Sequence, residues 1–465
     1  MAEVRVRMYR YGLGDCFLLT FPGVKREVHV LIDCGVLKGT PDATEEMQRR
    51  VAHIRKTTGG IDVLVVTHEH WDHVSGFLQA ANEFATLPIR RVWLAWTEDL
   101  SNDLGTVLRK RKEKAQEALD EARQKLALSA APAASESLKA LDALHQFTGD
   151  FGAAGRKTTA SAMKWAREAT GGEVEYLTPG SEPLTIPGVE GVRVYVLGPP
   201  EDAKLLRRSD PSRRTPEVYE LASGMDLGFA AALHGPGEPD EARPFDQSFE
   251  IPVEQAAQDR FFKATYHAEG WRQIEDDWLG SAEHLALQMN SDTNNTSLVL
   301  AFELVASERV LLFPGDAQIG NWLSWEHLKW KVKDKHGDPV EVTARNLLER
   351  TVLYKVGHHA SHNATLREKG LEVMNSSELV AMIPVAEEQA RGLDWDMPFP
   401  PLLSRLSEKA KGRIIRADTG VAAERPEYVS ERVWAAFRER SKDDDPEKRF
   451  VDYVVPMEAS REVDP

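Results

Sequence analysis

Residues 67 to 73 read Thr-His-Glu-His-Trp-Asp-His and follow directly on the apolar run at 61–66. Along extended backbone His68 and His70 alternate so that their imidazoles can converge on one ion, while Asp72 and His73 open the next turn and can face a second. Imidazole nitrogen and carboxylate oxygen suit Zn²⁺ or a similar divalent ion, and a catalytic site keeps one coordination position open for water. Surface histidines usually occur singly. Four ligand-type side chains within six residues, set between a strand and a helix, are therefore read as two metal half-sites rather than as a titrating loop.

Two later loops carry the same residue types. A β-like run at 310–313 enters Pro314-Gly315-Asp316, and another at 352–356 enters Gly357-His358-His359-Ala360-Ser361-His362. In layered α/β sheets, sites form from loops beyond strand ends, so these two loops and the one at 67–73 are expected to converge. His234, His267 and His284 lack ligand spacing and are read as surface or core residues. His358, His362 and Lys355 are the candidates to supply a leaving group with a proton or positive charge, His358 first; Lys355 lies inside a strand run, where it can as well point to solvent or cover apolar surface with its stem. Ser361 has two readings, a hydrogen bond to a phosphate oxygen or a cap on the turn that follows.

The elements that must position these groups alternate. Runs at 4–11, 16–21, 28–32 and 61–66 have strand character, a helix is predicted over 74–84, and 91–95 is a further strand, which gives an α/β layered domain. From about 100 to 170, Lys, Glu, Ala and Arg recur at helical spacing, broken by Ala-Ala-Pro-Ala-Ala at 130–134, and predict two or three inserted helices. Strand character returns at 190–200, a polar, Pro-rich second insertion spans about 201–290, and another strand follows at 297–303. The domain reading is a single hydrolase domain over 1–440 and a charged C-terminal tail over 441–465, within which 450–455 is a candidate final strand.

The chain has 465 residues, 42% hydrophobic and 28% charged, with 11 Trp, enough to bury a large core. Its net charge of −16 argues against a broad basic surface tracking nucleic-acid backbones, although bound divalent ions supply local positive charge. Cys16 and Cys34 are too few for a disulfide framework, and the opening Met-Ala-Glu-Val-Arg-Val-Arg is no apolar signal segment, so a cytoplasmic protein is expected. No run approaches the ~18 apolar residues of a membrane span.

Taken in order, Asp33-Cys34-Gly35, the 67–73 loop, Gly315-Asp316 and His358-His359 resemble the metallo-β-lactamase superfamily. Gly12-Leu13-Gly14-Asp15, the run Asn294-Asn295-Thr296-Ser297-Leu298-Val299-Leu300, His-His-Ala-Ser at 358–361 and the segment 412–420 are similar to the hydrolase domain of DNA-uptake proteins of the ComEC kind. The resemblance spans roughly 4–425 and lacks those proteins' membrane channel. It implies an α/β fold, specifically an αββα four-layer sandwich with helical insertions, with two divalent metal ions at one sheet edge, Zn²⁺ first and Mn²⁺ second. On the matching positions, His68 and His70 hold the first ion and Asp72 and His73 the second. Asp316 bridges, and His359 or its neighbour His358 completes the second site. His358 contacts substrate or donates a proton, and Asp33 orients a ligand.

The chain departs from the pattern twice. Where a third histidine for the first ion is expected stands Trp96-Thr97-Glu98-Asp99, with Glu98 or Asp99 as substitutes, so one ion or two remain alternatives. Met397 stands where a histidine before proline is expected. True β-lactamases commonly carry a cysteine at the position of Asp316, and neither cysteine falls there. The implied activity is hydrolysis by a metal-bound hydroxide, of a phosphodiester in nucleic acid or a nucleotide-like small molecule. The alternatives are another ester (a phosphorylcholine ester, thioester or lactone), or a metal-containing component of a multi-protein assembly, of defence type for instance, with a protein partner docked on the helical insertion. No membrane partner is expected.

Overall fold

In most strands of this chain every second residue is apolar, or every residue is, and this pattern builds two stacked sheets. The computed structural model describes residues 2–128, 132–147, 158–170, 173–209, 277–458 and, between these, 217–218, 251, 253–256 and 258–267. His234 lies outside the described residues, as do the side chains of His267 and His284. The chain divides into two compact units, a larger one over 1–108, 146–222 and 291–465 and a smaller one over 109–145 and 223–290.

The strands are β1 (Glu3–Tyr9), β2 (Phe17–Pro22), β3 (Glu27–Ile32), β4 (Ile61–Val66), β5 (Ile89–Ala95), β6 (Val174–Leu177), β7 (Val192–Gly198), β8 (Val299–Leu304), β9 (Arg309–Phe313), β10 (Lys329–Lys333), β11 (Pro339–Thr343), β12 (Thr351–Lys355), β13 (Val380–Ile383), β14 (Ile414–Arg416), β15 (Gly420–Val421), β16 (Ser441–Lys442) and β17 (Phe450–Pro456). One sheet of eight runs β16-β17-β1-β2-β3-β4-β5-β6, and one of seven runs β15-β14-β13-β12-β9-β8-β7, with β10-β11 a separate hairpin. β3, β4, β5 and β6 are parallel neighbours, as are β9, β12, β13 and β14.

Side chains alternate across a strand, so each sheet has two distinct faces. From the first sheet Val6, Phe17, Leu19, Val30, Val63 and Val65 join Val194, Leu300, Phe302, Leu311, Phe313 and Met382 of the second in one buried cluster. Phe17 meets Phe313 edge-on at 5.6 Å and Phe21 lies 5.9 Å from Phe302. The intervening residues Leu31, Leu64, Val66, Val92 and Leu94 face the other way, onto helices. One of these, Ala43–Thr58, buries Met47, Val51 and Ile54 along a single stripe and stops at Gly59, whose φ of 68° continues no helix. On the far face of the second sheet Tyr195, Ala301, Leu312, Tyr354 and Ala381 pack with Ile319, Trp322 and Leu347 of two further helices.

Parallel strands end at a common edge, and here the edge carries the motifs. β3 ends one residue before Asp33, β4 one before Thr67, β9 three residues before Asp316, and β12 three residues before His358. The helix after β4 spans Trp71–Gln79, beginning three residues earlier than predicted, so Asp72 and His73 sit in its first turn. The break near 130 separates helices Asp103–Leu128 and Pro132–His145, and a third helix follows at Thr159–Glu168. Within the smaller unit Leu119, Ala122, Leu126 and Leu141 share a core with Ala282, Ala286 and Met289. Among the described residues no helix is long and apolar enough to cross a membrane.

The end of the chain, set apart by its charges as a tail, supplies a strand of the first sheet. β17 pairs with β1 over seven positions, from Glu3 with Pro456 to Tyr9 with Phe450. Directly opposed Arg7 and Asp452 form a two-pronged ion pair at 2.7 and 2.8 Å, both nearly buried, with the guanidinium 3.5 Å above the Phe450 ring. Replacing Asp452 by Ala leaves a buried guanidinium without its counter-charge, for which a loss of about 3–5 kcal/mol is expected. Urea unfolding of D452A measures it, and a loss below about 1 kcal/mol would show that β17 is not anchored this way.

Candidate metal centre

Three loops and one turn meet at the shared edge. Asp33 leaves β3 with a φ of 54° and accepts the Thr67 N–H at 2.8 Å, the Thr67 hydroxyl at 2.6 Å and the His73 Nδ1–H at 2.8 Å. One carboxylate therefore fixes the start of the 67–73 loop and one of its imidazoles. Backbone bonds tie the same parts again: the Cys34 N–H donates to the His73 carbonyl at 2.8 Å and the Asp15 N–H to the Asp72 carbonyl at 3.0 Å. The approach is so close that a Cβ on Gly35 would stand 2.4 Å from the Asp72 carbonyl carbon, and one on Gly14 would stand 2.8 Å from its oxygen. The Gly12–Asp15 turn is thus a support packed directly against the loop.

The turn after β12 is forced. His358, His359 and Ala360 have φ values of 42°, 52° and 64°, three successive non-glycine residues in left-handed backbone. Such residues cost of order 1–3 kcal/mol each and persist where the surroundings over-determine them. This turn directs His359 into the cluster and lets the His358 N–H donate to Asp316 Oδ1 at 3.0 Å.

Asp72, His73, Asp316 and His359 place one ligand atom each within 4.8 Å of one another, all four residues wholly buried. The donor set can be checked by following protons. His359 Nδ1 lies 2.6 Å from the Pro384 carbonyl, which only accepts, so Nδ1 carries the hydrogen and Nε2 turns a lone pair to Asp72 Oδ2 at 2.9 Å. His73 Nδ1 is likewise engaged by Asp33, and its Nε2 faces Asp316 Oδ2 at 3.1 Å. Lone pairs so close repel unless a proton or a cation lies between them. Asp72 Oδ1, His73 Nε2 and Asp316 Oδ2 have no hydrogen-bond partner among the described residues. This donor set fits a divalent cation.

Charge gives the same answer. Asp15, Asp33, Asp72 and Asp316 are buried together with a single ammonium, Lys355, so neutral imidazoles would leave three negative charges uncompensated out of water. Burial pushes the His73 imidazole down, but Asp316, Asp15, Asp72 and Asp33 outweigh it and hold the group well above its ordinary value. His359 is raised against the same burial by its bond to Asp72 and by Asp316. Burial opposes ionisation of Asp316, and His73 and Lys355 overcome it, holding the carboxyl well below the usual range.

Lys355, for which the sequence also left the readings of pointing to solvent or covering apolar surface, does neither. Its three N–H groups reach Asp15 Oδ2 at 2.5 Å, the Gly315 carbonyl at 2.9 Å and Asp316 Oδ1 at 3.2 Å. Asp316 Oδ1 is thus engaged by Lys355 and by the His358 backbone, which leaves Oδ2 as its open oxygen. A lysine in a strand run gave no signal of this; only its position two residues before the Gly-His-His turn hinted at it.

His68 and His70 are buried beside the four-residue group and outside it. His68 Nε2 and His70 Nδ1 lie 3.0 Å apart, and the His68 ring centroid is 4.2 Å from that of His73. Burial, reinforced by His73 and His70, keeps His68 far below its ordinary value and hence neutral. The suggested substitutes for a third histidine are turned elsewhere: Glu98 pairs with Arg167 at 3.2 Å and Asp99 accepts the Ser101 N–H at 2.8 Å. His358 bonds Ser361 Oγ at 2.7 Å, and Ser361 in turn donates to Asn363 at 3.0 Å, so that hydroxyl serves the His358 ring. His362 packs 6.1 Å from the Phe399 ring.

Among comparisons with known proteins, the metallo-β-lactamase superfamily family model matches residues 10–96. The match takes in β2 to β5 and the 67–73 loop. No curated protein matches the chain.

Two outcomes follow. Without a cation, the protons that His73 and His359 share with the carboxylates stabilise the folded state; that contribution is complete below about pH 6.5 and is lost as pH rises through the raised folded values. A cation takes the protons' place, so Zn²⁺ uptake should release protons and the gain in Tm from added Zn²⁺ should grow between about pH 6 and 8. Calorimetry in buffers of different ionisation heat reads the proton count, and a pH-independent gain would refute the exchange. Asp33→Asn, which cannot hold the His73 tautomer in the same way, should keep the fold by circular dichroism and weaken metal binding roughly 10–100-fold.

Proposed function

We propose that the protein is a metal-dependent hydrolase, built as the αββα sandwich of metallo-β-lactamase-like enzymes, that cleaves a phosphodiester in a nucleic acid or nucleotide-like substrate. The reading rests on one observation above all: four buried ligand groups, from the loops after β4, β9 and β12, whose open lone pairs converge without protons enough to satisfy them. Bound there, divalent ions would lower the pKa of water towards neutrality and polarise the attacked ester.

The protein's own groups divide the remaining work. Asp72, His73, Asp316 and His359 would hold the ion, and Asp33 keeps the proton of His73 on Nδ1 so that Nε2 stays a ligand. His358 is pushed down to about 4, mainly by burial, and is neutral at pH 7. It therefore carries no imidazolium proton for a leaving group and can instead accept a hydrogen bond. Lys355, with every N–H engaged by the protein, has none left for the leaving group. A carboxylate at 316, where a thiolate would favour a softer ion, keeps Zn²⁺ and Mn²⁺ both suitable. The chain's net charge of −16 favours contact at the ion over tracking of a long phosphate backbone.

Bis(p-nitrophenyl) phosphate, p-nitrophenyl phosphate and a lactone, each offered with Zn²⁺ or Mn²⁺, test the reading. Phosphodiester turnover is expected, falling at least about a hundredfold in D72A and H73A with KM little changed. Lack of phosphodiester turnover with either ion would overturn it, and turnover surviving D72A would remove the centre from the chemistry.

A further inference from the structure

The four-residue group leaves His68 and His70 over, and their geometry is that of two ligands of one ion. A metal–nitrogen distance near ~2.1 Å and angles between about 90° and 110° put two nitrogens roughly 3.0–3.4 Å apart. His68 Nε2 and His70 Nδ1 are 3.0 Å apart. The Thr67 hydroxyl, 3.0 Å from His68 Nδ1, gives its own proton to Asp33 and so accepts the Nδ1–H, leaving the lone pair on His68 Nε2. Two imidazoles hold a divalent ion weakly, and Glu98 and Asp99 do not stand with them.

Asn294 stands against His358, whose ring lies 6.2 Å from that of Phe147, as the His70 ring does at 5.6 Å. Asn294 is the penultimate residue of the helix Asp277–Asn295 and is wholly buried. Its Nδ2 faces His358 Nε2 at 3.4 Å, while its Oδ1 has no hydrogen-bond partner among the described residues. The turn that carries it is laced to both sides of the centre: the Leu298 N–H donates to the Thr67 carbonyl at 2.8 Å, next to His68, and the Asp316 N–H donates to Ser297 Oγ at 3.1 Å. An orphaned amide oxygen so buried is costly unless a ligand meets it.

We propose that Asn294 Oδ1 is the third protein ligand of a first ion held by His68 and His70, an asparagine in the role of the absent histidine. The inference rests on the metal-centre reading above. Its consequence is asymmetry. One ion position has two carboxylates and two imidazoles. The other has two imidazoles and a neutral, hard amide oxygen, and is the weaker of the two, with less advantage for Zn²⁺ over Mn²⁺.

Chelator-stripped protein reloaded with Mn²⁺ or Zn²⁺ and counted by elemental analysis, with ion affinities from competition against a chelating dye, decides the matter without reference to turnover. Wild type should take up two ions of unequal affinity. Asn294→Leu should lose the weaker and keep the tighter, and Asn294→His should strengthen the weaker position for Zn²⁺ roughly tenfold or more. Thermal melts monitor folding, and the gain in N294H cannot come from misfolding. Two ions retained at unchanged affinity in N294L, or no strengthening in N294H, overturns the assignment of Asn294. A wild type that takes up no ion, or ion uptake unaffected by D72A, overturns instead the metal-centre reading on which it rests.

Discussion

Four carboxylates buried at one sheet edge, with a lone lysine among them, are the constraint on which the rest of this structure depends. Removing so much negative charge from water is costly unless a counter-charge is present, and the protein supplies only part of it. Lys355 neutralises one charge permanently. Protons on His73 and His359 can neutralise more, but both rings already commit one nitrogen to a fixed acceptor and turn the other toward a carboxylate oxygen. The rest of the counter-charge must come from protons or from a cation, so the chemistry and the stability of this edge are one problem.

The scaffold around that edge holds the groups against their own repulsion. Asp33 gathers two donors of Thr67 and the His73 ring, the glycines at 14 and 35 allow backbone to close on the Asp72 carbonyl, and a left-handed turn over 358–360 is held against its strain. Both sheets contribute: the 67–73 loop comes from the first, Asp316 and His359 from the second. Their shared apolar layer, from Phe17 to Phe313, sets the spacing of ligands that are as far apart in the chain as Asp72 and His359.

Local pattern carried much of this. Alternating apolar residues marked most strands to within two residues at an end, because a strand buried on one or both faces must write its burial into every second residue. The ligand loops were legible because polar metal-binding types directly after apolar runs have few other uses. The pattern failed where the reason is not local. β6, β13, the short β16 and the hairpin β10-β11 escaped notice. The helix after β4 began early because Trp71 and Asp72 enter it as a tertiary seat demands, with the Trp71 N–H donating to the Phe147 carbonyl at 2.7 Å. The strand at the acidic end was legible in its apolar run at 450–455, but its pairing along β1, with Asp452 opposed to Arg7, was not.

The sequence by itself determined which residue types are present to bind a cation, that they follow strands, and that the layers are mixed α/β, since period and residue chemistry are properties of short segments. Only the tertiary structure decided which of those residues stand together: Asp72, His73, Asp316 and His359 in one group, His68 and His70 beside it, Lys355 inside, Glu98 and Asp99 outside. Distance in the chain says nothing of distance in space, and proton positions, lone-pair directions and net buried charge exist only once distant loops share one edge.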